Sequence, residues 1–286
     1  MQEGFKTIKV SETSSKALRF LYKNKFGRFL LKGLIQPPIT KMAGVYLNST
    51  LSKVWINFFI KKNNLEMSEY ELVKYSSFND FFKREIKPEA RPLLEDTTVL
   101  TAPCDGKVKV YPINEKAVFQ IKRSEYSLAE LLGSEGLAKE WQNGSAVIFR
   151  LTPDDYHHYY FIDEGTILSH QKISGIFHTV QPIAIHNEPV FSRNSREVTV
   201  IDTKNFGKII QIEVGALMVG KIKNLKYEGN CQRFEKKGWF EFGGSTVLLL
   251  FQAGSVLLDS ELTRNTENKQ ETIVKFGQAL GKIASE

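Results

Sequence analysis

The side chains able to do chemistry are few and unevenly placed. All five histidines fall between positions 157 and 186: His157, His158, His170, His178 and His186. Two are adjacent in "RLTPDDYHHYYFIDEG" (150–165), after an apolar run and a Pro-Asp turn, and loops at strand ends commonly carry function. Upstream, "APCDGKV" (102–108) sets Asp105 in an Asp-Gly turn; downstream, "FGGSTVLLLF" (242–251) sets Ser245 behind two glycines and ahead of an apolar strand. The chain order Asp, His, Ser is the inventory of an activated serine nucleophile. Gly243 and Gly244 leave the carbonyl before Ser245 unshielded and its backbone free, so the hydroxyl is suited to attack its own preceding peptide bond. Each signal alone is weak. Asp-Gly is also an ordinary hairpin turn, and Val247 stands where the nucleophile elbow needs glycine. No metal is expected, because adjacent histidines on an extended chain point to opposite faces and no HExxH occurs. Two cysteines, Cys104 and Cys231, build neither a disulfide framework nor a cysteine zinc site, so a reducing compartment is the default.

Those residues must be positioned by the elements around them. The 286 residues suffice for one large or two smaller domains. After residue 75 short strand-like runs alternate with turns: "GKVKVYPI", "SAVIFRL", "QIEVGALMVGKI" and "WFEFGGSTVLLLF". "SLAELLG" (127–133) reads as a Ser-capped, Gly-terminated helix, and "SSFNDFFKREIKPEARPL" (76–93) as a helix ending near Pro88 with an extended linker past Pro92. The fold class expected is α+β: a mostly antiparallel β catalytic body with helical inserts over 76–286, preceded by a basic amphipathic helical region over 1–75. Residues 1–65 hold 12 Lys+Arg against 2 Asp+Glu, while the remainder is slightly acidic. Such an arm suits nucleic acid or an anionic membrane. Leu18, Leu21, Tyr22, Phe26, Phe29 and Leu30 at helical spacing among Lys16, Arg19, Lys23 and Lys32 favour the membrane, as one interfacial helix over 15–34 broken by Pro37 and Pro38. No run reaches the roughly 18 apolar residues of a spanning helix, and a secretory pattern is missing. The expectation is a peripheral protein of the cytoplasmic membrane face, without nucleic acid as partner.

Along most of its length the chain resembles the phosphatidylserine decarboxylases. The matching stretches are "FFKREIKPEARPL", "APCDGKV", "RLTPDDYHHYYFIDEG", "HTVQPIAI", "NSREV", "VGALMVGKI" and "FGGSTVLLLF", in this order and spacing. The resemblance implies a proenzyme. Ser245 Oγ attacks the Gly244 carbonyl, the resulting ester is eliminated, and residue 245 becomes a pyruvoyl group heading an α chain (245–286) that stays with a β chain (1–244). The group then forms a Schiff base with phosphatidylserine and accepts the electrons left by CO₂, giving phosphatidylethanolamine. Asp105 would orient the histidine that activates Ser245, and His178 would line the substrate pocket. The sequence departs from the family pattern twice. Gly243 replaces the usual leucine before Gly-Ser-Thr. In the DYHxxH motif His157 matches the first histidine, tied to decarboxylation, but Tyr160 replaces the second, tied to self-cleavage. A phenol with a pKa near 10 is a poor base at neutral pH, which leaves His157, His158 and Tyr160 as candidates. Arg193 and Arg196 suit a substrate phosphate or structural ion pairs equally. A soluble amino-acid decarboxylase and a non-cleaving lipid-binding protein of the same fold stay open as alternatives, with a serine hydrolase further off. A homodimer is also left open.

Overall fold

The computed structural model describes residues 5–9, 16–121, 124–186, 188–217, 221–242 and 245–284. Gly243, Gly244 and residues 218–220 of the "VGALMVGKI" stretch lie outside them, as does Ser15. The N-terminal part forms four helices, α1 (Lys16–Lys23), α2 (Lys25–Leu34), α3 (Pro37–Leu47) and α4 (Val54–Asn63), followed by the short α5 (Phe78–Phe82). Seventeen strands are described: β1 (Thr7–Lys9), β2 (Val99–Thr101), β3 (Gly106–Pro112), β4 (Val118–Ile121), β5 (Ser124–Ser127), β6 (Ser145–Leu151), β7 (His158–Tyr160), β8 (Gly165–Ile173), β9 (Arg196–Thr203), β10 (Gly207–Val214), β11 (Ile222–Asn224), β12 (Gly229–Cys231), β13 (Lys236–Phe240), β14 (Ser245–Phe251), β15 (Val256–Leu258), β16 (Gln270–Val274) and β17 (Ala279–Ile283). Nine make one sheet in the order β1-β16-β3-β6-β14-β10-β9-β8-β12, and β11-β13-β7 make a second, smaller one. The pairings within these named strands are antiparallel, so the molecule is α+β, with mostly antiparallel sheets and helical inserts.

The strand that begins at Ser245 lies near the middle of the large sheet, between β6 and β10, and all seven of its residues are buried. That is why "STVLLLF" shows no polar alternation. Val247, Leu249 and Phe251 face a core shared with Tyr159 and Phe240, while Leu248 and Leu250 face a core shared with Val180, Ile185 and the partly buried Tyr22. Each such side chain contributes about 1.5–3 kcal/mol by burial, which pins the register on both faces. Within the small sheet β13 and β11 approach closely because residue 238 is glycine: a Cβ there would come within 2.0 Å of the Lys223 carbonyl oxygen.

Two local expectations are corrected. The helix read over 15–34 is two helices, because the Asn24 side chain accepts from the Phe26 and Gly27 N–H groups and starts α2 afresh. The helix expected to reach Pro88 stops after Phe82. Beyond it the chain turns extended and pairs with 69–71, through Glu71 N–H to the Glu85 carbonyl (2.9 Å) and Lys87 N–H to the Glu69 carbonyl (2.9 Å). Non-local pairing there overrides local helix preference. "SLAELLG" is a short helix over Leu128–Leu132, ended by Gly133 at φ 67°. No helix of the described residues is long and apolar enough to cross a membrane.

Candidate active site at the start of the central strand

Three neighbouring strands bring the chemistry to one end of the large sheet. Lys107 on β3 lies opposite Arg150 on β6, and Arg150 lies opposite Thr246 on β14. Asp105 therefore precedes β3, Thr152 follows β6 and Ser245 starts β14, all at the same sheet end. The turn after β6 is closed by Thr152 N–H to Asp155 Oδ2 (2.6 Å) and Asp155 N–H to the Thr152 carbonyl (2.8 Å). Lys107 Nζ holds both Asp155 oxygens at 2.8 and 2.7 Å. This buried clamp fixes where Tyr156, His157 and β7 begin.

His157 packs beside the segment that precedes Ser245 in the chain. The Phe240 N–H donates to the His157 carbonyl (3.0 Å). Phe82 packs on the His157 ring at 4.2 Å and on Phe242 at 5.1 Å, and Phe242 N–H donates to Asn79 Oδ1 (3.2 Å). The aromatic group that holds the imidazole thus also holds Phe242, three positions before Ser245. His157 Nδ1 lies 2.9 Å from the Asp155 carbonyl. A carbonyl only accepts, so Nδ1 carries the proton and Nε2 a lone pair. That Nε2 and Ser245 Oγ are both buried and without hydrogen-bond partners among the described residues. Burial, reinforced by the Arg84 guanidinium, pushes the His157 imidazole down to about 3, so it is neutral at any ordinary pH.

The other candidates point elsewhere. His158 Nε2 donates to the Lys83 carbonyl (3.0 Å), and its ring is stacked on Tyr156 at 4.5 Å and on Trp239 at 5.9 Å. Burial pushes it down to about 4. Tyr160 stacks on Phe276 at 3.9 Å. Its hydroxyl lies 3.0 Å from that of Tyr156, whose own proton goes to Glu85 Oε2 at 3.1 Å. The Tyr160 proton is therefore engaged by Tyr156, and burial pushes its pKa up to about 12.

Asp105 is fully buried and lacks the histidine that the resemblance assigns to it. Its oxygens take Arg91 Nε (3.0 Å) and Nη2 (2.6 Å), Lys275 Nζ (3.1 Å) and the Phe276 N–H (2.8 Å), and no histidine among the described residues bonds to it. Burial raises its pKa, but the Arg91 hydrogen bonds and the Lys275 charge outweigh that, and the carboxyl stays below its ordinary range. Arg91 and Asp155 sit inside motifs legible in the sequence, yet spacing carried no sign of their partners 14 and 48 positions away.

His178 stands on the other side of the sheet. Ser245 alternates with Val247 and Leu249 on one face of β14, whereas Tyr22, which holds His178 Nδ1 at 3.1 Å, packs on the opposite core. Asn194 links His178 to the chain end of β10 by accepting from the His178 N–H (2.9 Å) and donating to the His178 (2.8 Å) and Gly215 (2.7 Å) carbonyls. Arg196 donates to the carbonyls of Leu131, Ser192, Asn194 and Glu130 and is structural; Arg193 pairs with Glu188. His170 lies between Thr199 and Glu197. Among the described residues no three His, Cys, Asp or Glu side chains gather in metal-binding geometry.

A family model described as phosphatidylserine decarboxylase matches residues 78–282. The phosphatidylserine decarboxylase proenzyme 2 of Clostridium acetobutylicum is 42% identical over 265 residues, covering 92% of this chain and 91% of that protein. Phosphatidylserine decarboxylase proenzymes of Clostridium perfringens and Clostridium botulinum are 37% and 38% identical over 272 residues, covering 93% of this chain and 92% of each.

Proposed function

The chain belongs to the phosphatidylserine decarboxylase family, and on that premise we propose that it is a proenzyme that cleaves itself before Ser245 and then converts phosphatidylserine to phosphatidylethanolamine and CO₂. The observation that carries the reading is that Ser245 Oγ and His157 Nε2 are both buried without a hydrogen-bond partner among the described residues, with Phe82 packed on both the His157 ring and Phe242, three positions before Ser245. His157 Nε2 takes the Ser245 hydroxyl proton as Oγ bonds to the Gly244 carbonyl carbon, and the C–N bond breaks to leave an ester and a free amine. Loss of the residue-245 α proton then breaks the Cβ–O bond, releasing a carboxylate at Gly244. Water replaces the resulting imine nitrogen, which leaves as ammonia. His157 thus serves cleavage as well as the decarboxylation role that its motif implies, and Tyr160 and His158 serve the scaffold. Asp105 acts through Arg91 and Lys275 on the position of the 276 segment, and not through a histidine.

A pyruvoyl group fits this position. Residue 245 is buried, begins a strand paired on both sides, and keeps its place after the cut because β6 and β10 still hold it. When formed, that group supplies a ketone for the substrate amine and a sink for the electrons left by CO₂. In this reading His157 Nε2, with a lone pair and no partner among the described residues, holds and returns a proton there.

The basic helical region, residues 1–75, is read as the part that meets an anionic membrane surface at the cytoplasmic face, with 76–286 as the catalytic body; two chains, 1–244 and 245–286, remain associated. Support comes from Phe26 and Phe29, 62% and 70% exposed on α2, beside the cluster of positive charge. A non-cleaving reading has one observation in its favour: Asp105 and Tyr160 are fully engaged without a histidine. Intact-mass measurement decides. The expected result is two chains, the smaller starting with the mass of a pyruvoyl residue; a lasting single species of 32.6 kDa gives the case to the non-cleaving reading.

A further inference from the structure

A cavity lies between the N-terminal helices and the body. Its volume is about 540 Å³, and Lys23, Arg28, Lys32 and Arg193 line it, with Glu188 as the one carboxylate in the described lining. Glu188 is already paired with Arg193 at 2.5 Å. Lys23, Arg28 and Lys32 have no ion pair among the described residues. At the cavity wall the Thr179 N–H donates to Tyr22 Oη (3.1 Å), and the Tyr22 proton then goes to His178 Nδ1 (3.1 Å). The His178 proton is therefore on Nε2, a buried donor with no acceptor among the described residues. Three cations without an ion pair among the described residues and one orphaned N–H around a void of this size describe a receptor for an oxyanion group.

The helix carrying Arg28 and Lys32 also presents an apolar face outward. Arg28, Leu31, Lys32 and Ile35 line the cavity, while Phe26, Phe29, Leu30 and Leu34 are exposed on the opposite stripe of the same helix. Gly27 lets α1 press against α2, since a Cβ there would lie 2.1 Å from the Phe20 carbonyl oxygen. The Phe177 N–H bonds to the Ile35 carbonyl (3.0 Å) and ties the end of α2 to the body. An apolar outer stripe with an anion receptor directly behind it matches a lipid, acyl chains on one side and phosphate on the other.

We propose that this cavity binds the phosphodiester of an anionic glycerophospholipid, and that the lipid held there is not the one being decarboxylated. Only three bonds separate the phosphorus of phosphatidylserine from its amine-bearing carbon. By alternation along β14 the Ser245 side chain is on the face of Val247 and Leu249, whereas Tyr22 of the Tyr22–His178 wall packs on the opposite core, so the sheet itself stands between the two. One headgroup cannot occupy both places. The site anchors the catalytic body to the bilayer through a non-reacting lipid, and it stands independently of whether Ser245 cleaves.

Isothermal titration with dihexanoyl-phosphatidylglycerol below its micelle concentration tests this on the full chain, cut or uncut. Saturable one-to-one binding is expected, weakened at least tenfold by Arg28→Gln with Lys32→Gln and unchanged by Lys61→Gln with Lys62→Gln on α4. Circular dichroism checks the fold; should the double variant unfold, Lys32→Gln alone is expected to weaken binding about threefold. KM for soluble dihexanoyl-phosphatidylserine is expected to stay within twofold in the cavity variants. Equal loss in the α4 control, or inorganic phosphate binding as tightly as the lipid, overturns the lipid site. A rise in KM parallel to the lost binding overturns its separation from the substrate.

Discussion

At the sheet end, the Asp105 side and the Ser245 side are built on opposite terms. Asp105 is surrounded by Arg91, Lys275 and the Phe276 N–H, and Tyr160 beside it is engaged by Tyr156. Ser245 Oγ and His157 Nε2 are buried and have no partners among the described residues. A buried polar atom left unpaired costs about 1–3 kcal/mol, so the protein carries a penalty on one side that it avoids on the other. The satisfied side holds its geometry; the unsatisfied side is where a bond can be remade. The comparison teaches that, of the residues matching a catalytic triad by order, His157 and Ser245 are left free to act while Asp105 is held by cations and a backbone N–H.

Changes on the two sides should therefore differ in kind. The largest effect belongs to Ser245→Ala, which should leave only uncut chain in a denaturing gel at any incubation time. His157→Gln should slow cleavage by a factor on the order of 10²–10⁴, the usual worth of a positioned base, with the melting temperature little changed; cleavage at the wild-type rate would move the base to another residue. Asp105→Asn should act mainly on stability. It takes the buried charge from between Arg91 and Lys275, though Arg91 keeps Glu69 at 2.9 Å, so a loss of about 1–3 kcal/mol is expected, readable by urea titration, while the protein that stays folded still cleaves. Tyr160→Phe removes one neutral hydroxyl, so about 1 kcal/mol or less is expected, with unchanged cleavage; a severe cleavage defect would return Tyr160 to the chemistry. The smallest effect is a flat pH profile. A base must be neutral, and His157 with its pKa lowered to about 3 stays neutral as pH falls. Cleavage should hold between pH 8 and 5.5, where an unperturbed imidazole near 6.5 would lose about tenfold.

Much of this protein is written locally and was legible in the sequence. The apolar run of β14, the helix over 128–132 with its terminal glycine, the Pro-Asp-Asp turn before the histidines, the Gly-Ser pair and the basic arm each depend on neighbours a few positions apart, which is the range over which propensity, turn chemistry and periodicity operate. The tertiary structure decided what depends on distant partners. It stopped the helix at Phe82 by pairing 84–87 with 69–71, and it turned His157 toward Phe82 and His158 toward Lys83 and Trp239. It also delivered Asp105 to Arg91 and to Phe276, 14 and 171 positions away. Alternation along a strand says that two adjacent histidines face apart, but which face meets the nucleophile is set by how sheets and helices close over each other, and no local spacing encodes that.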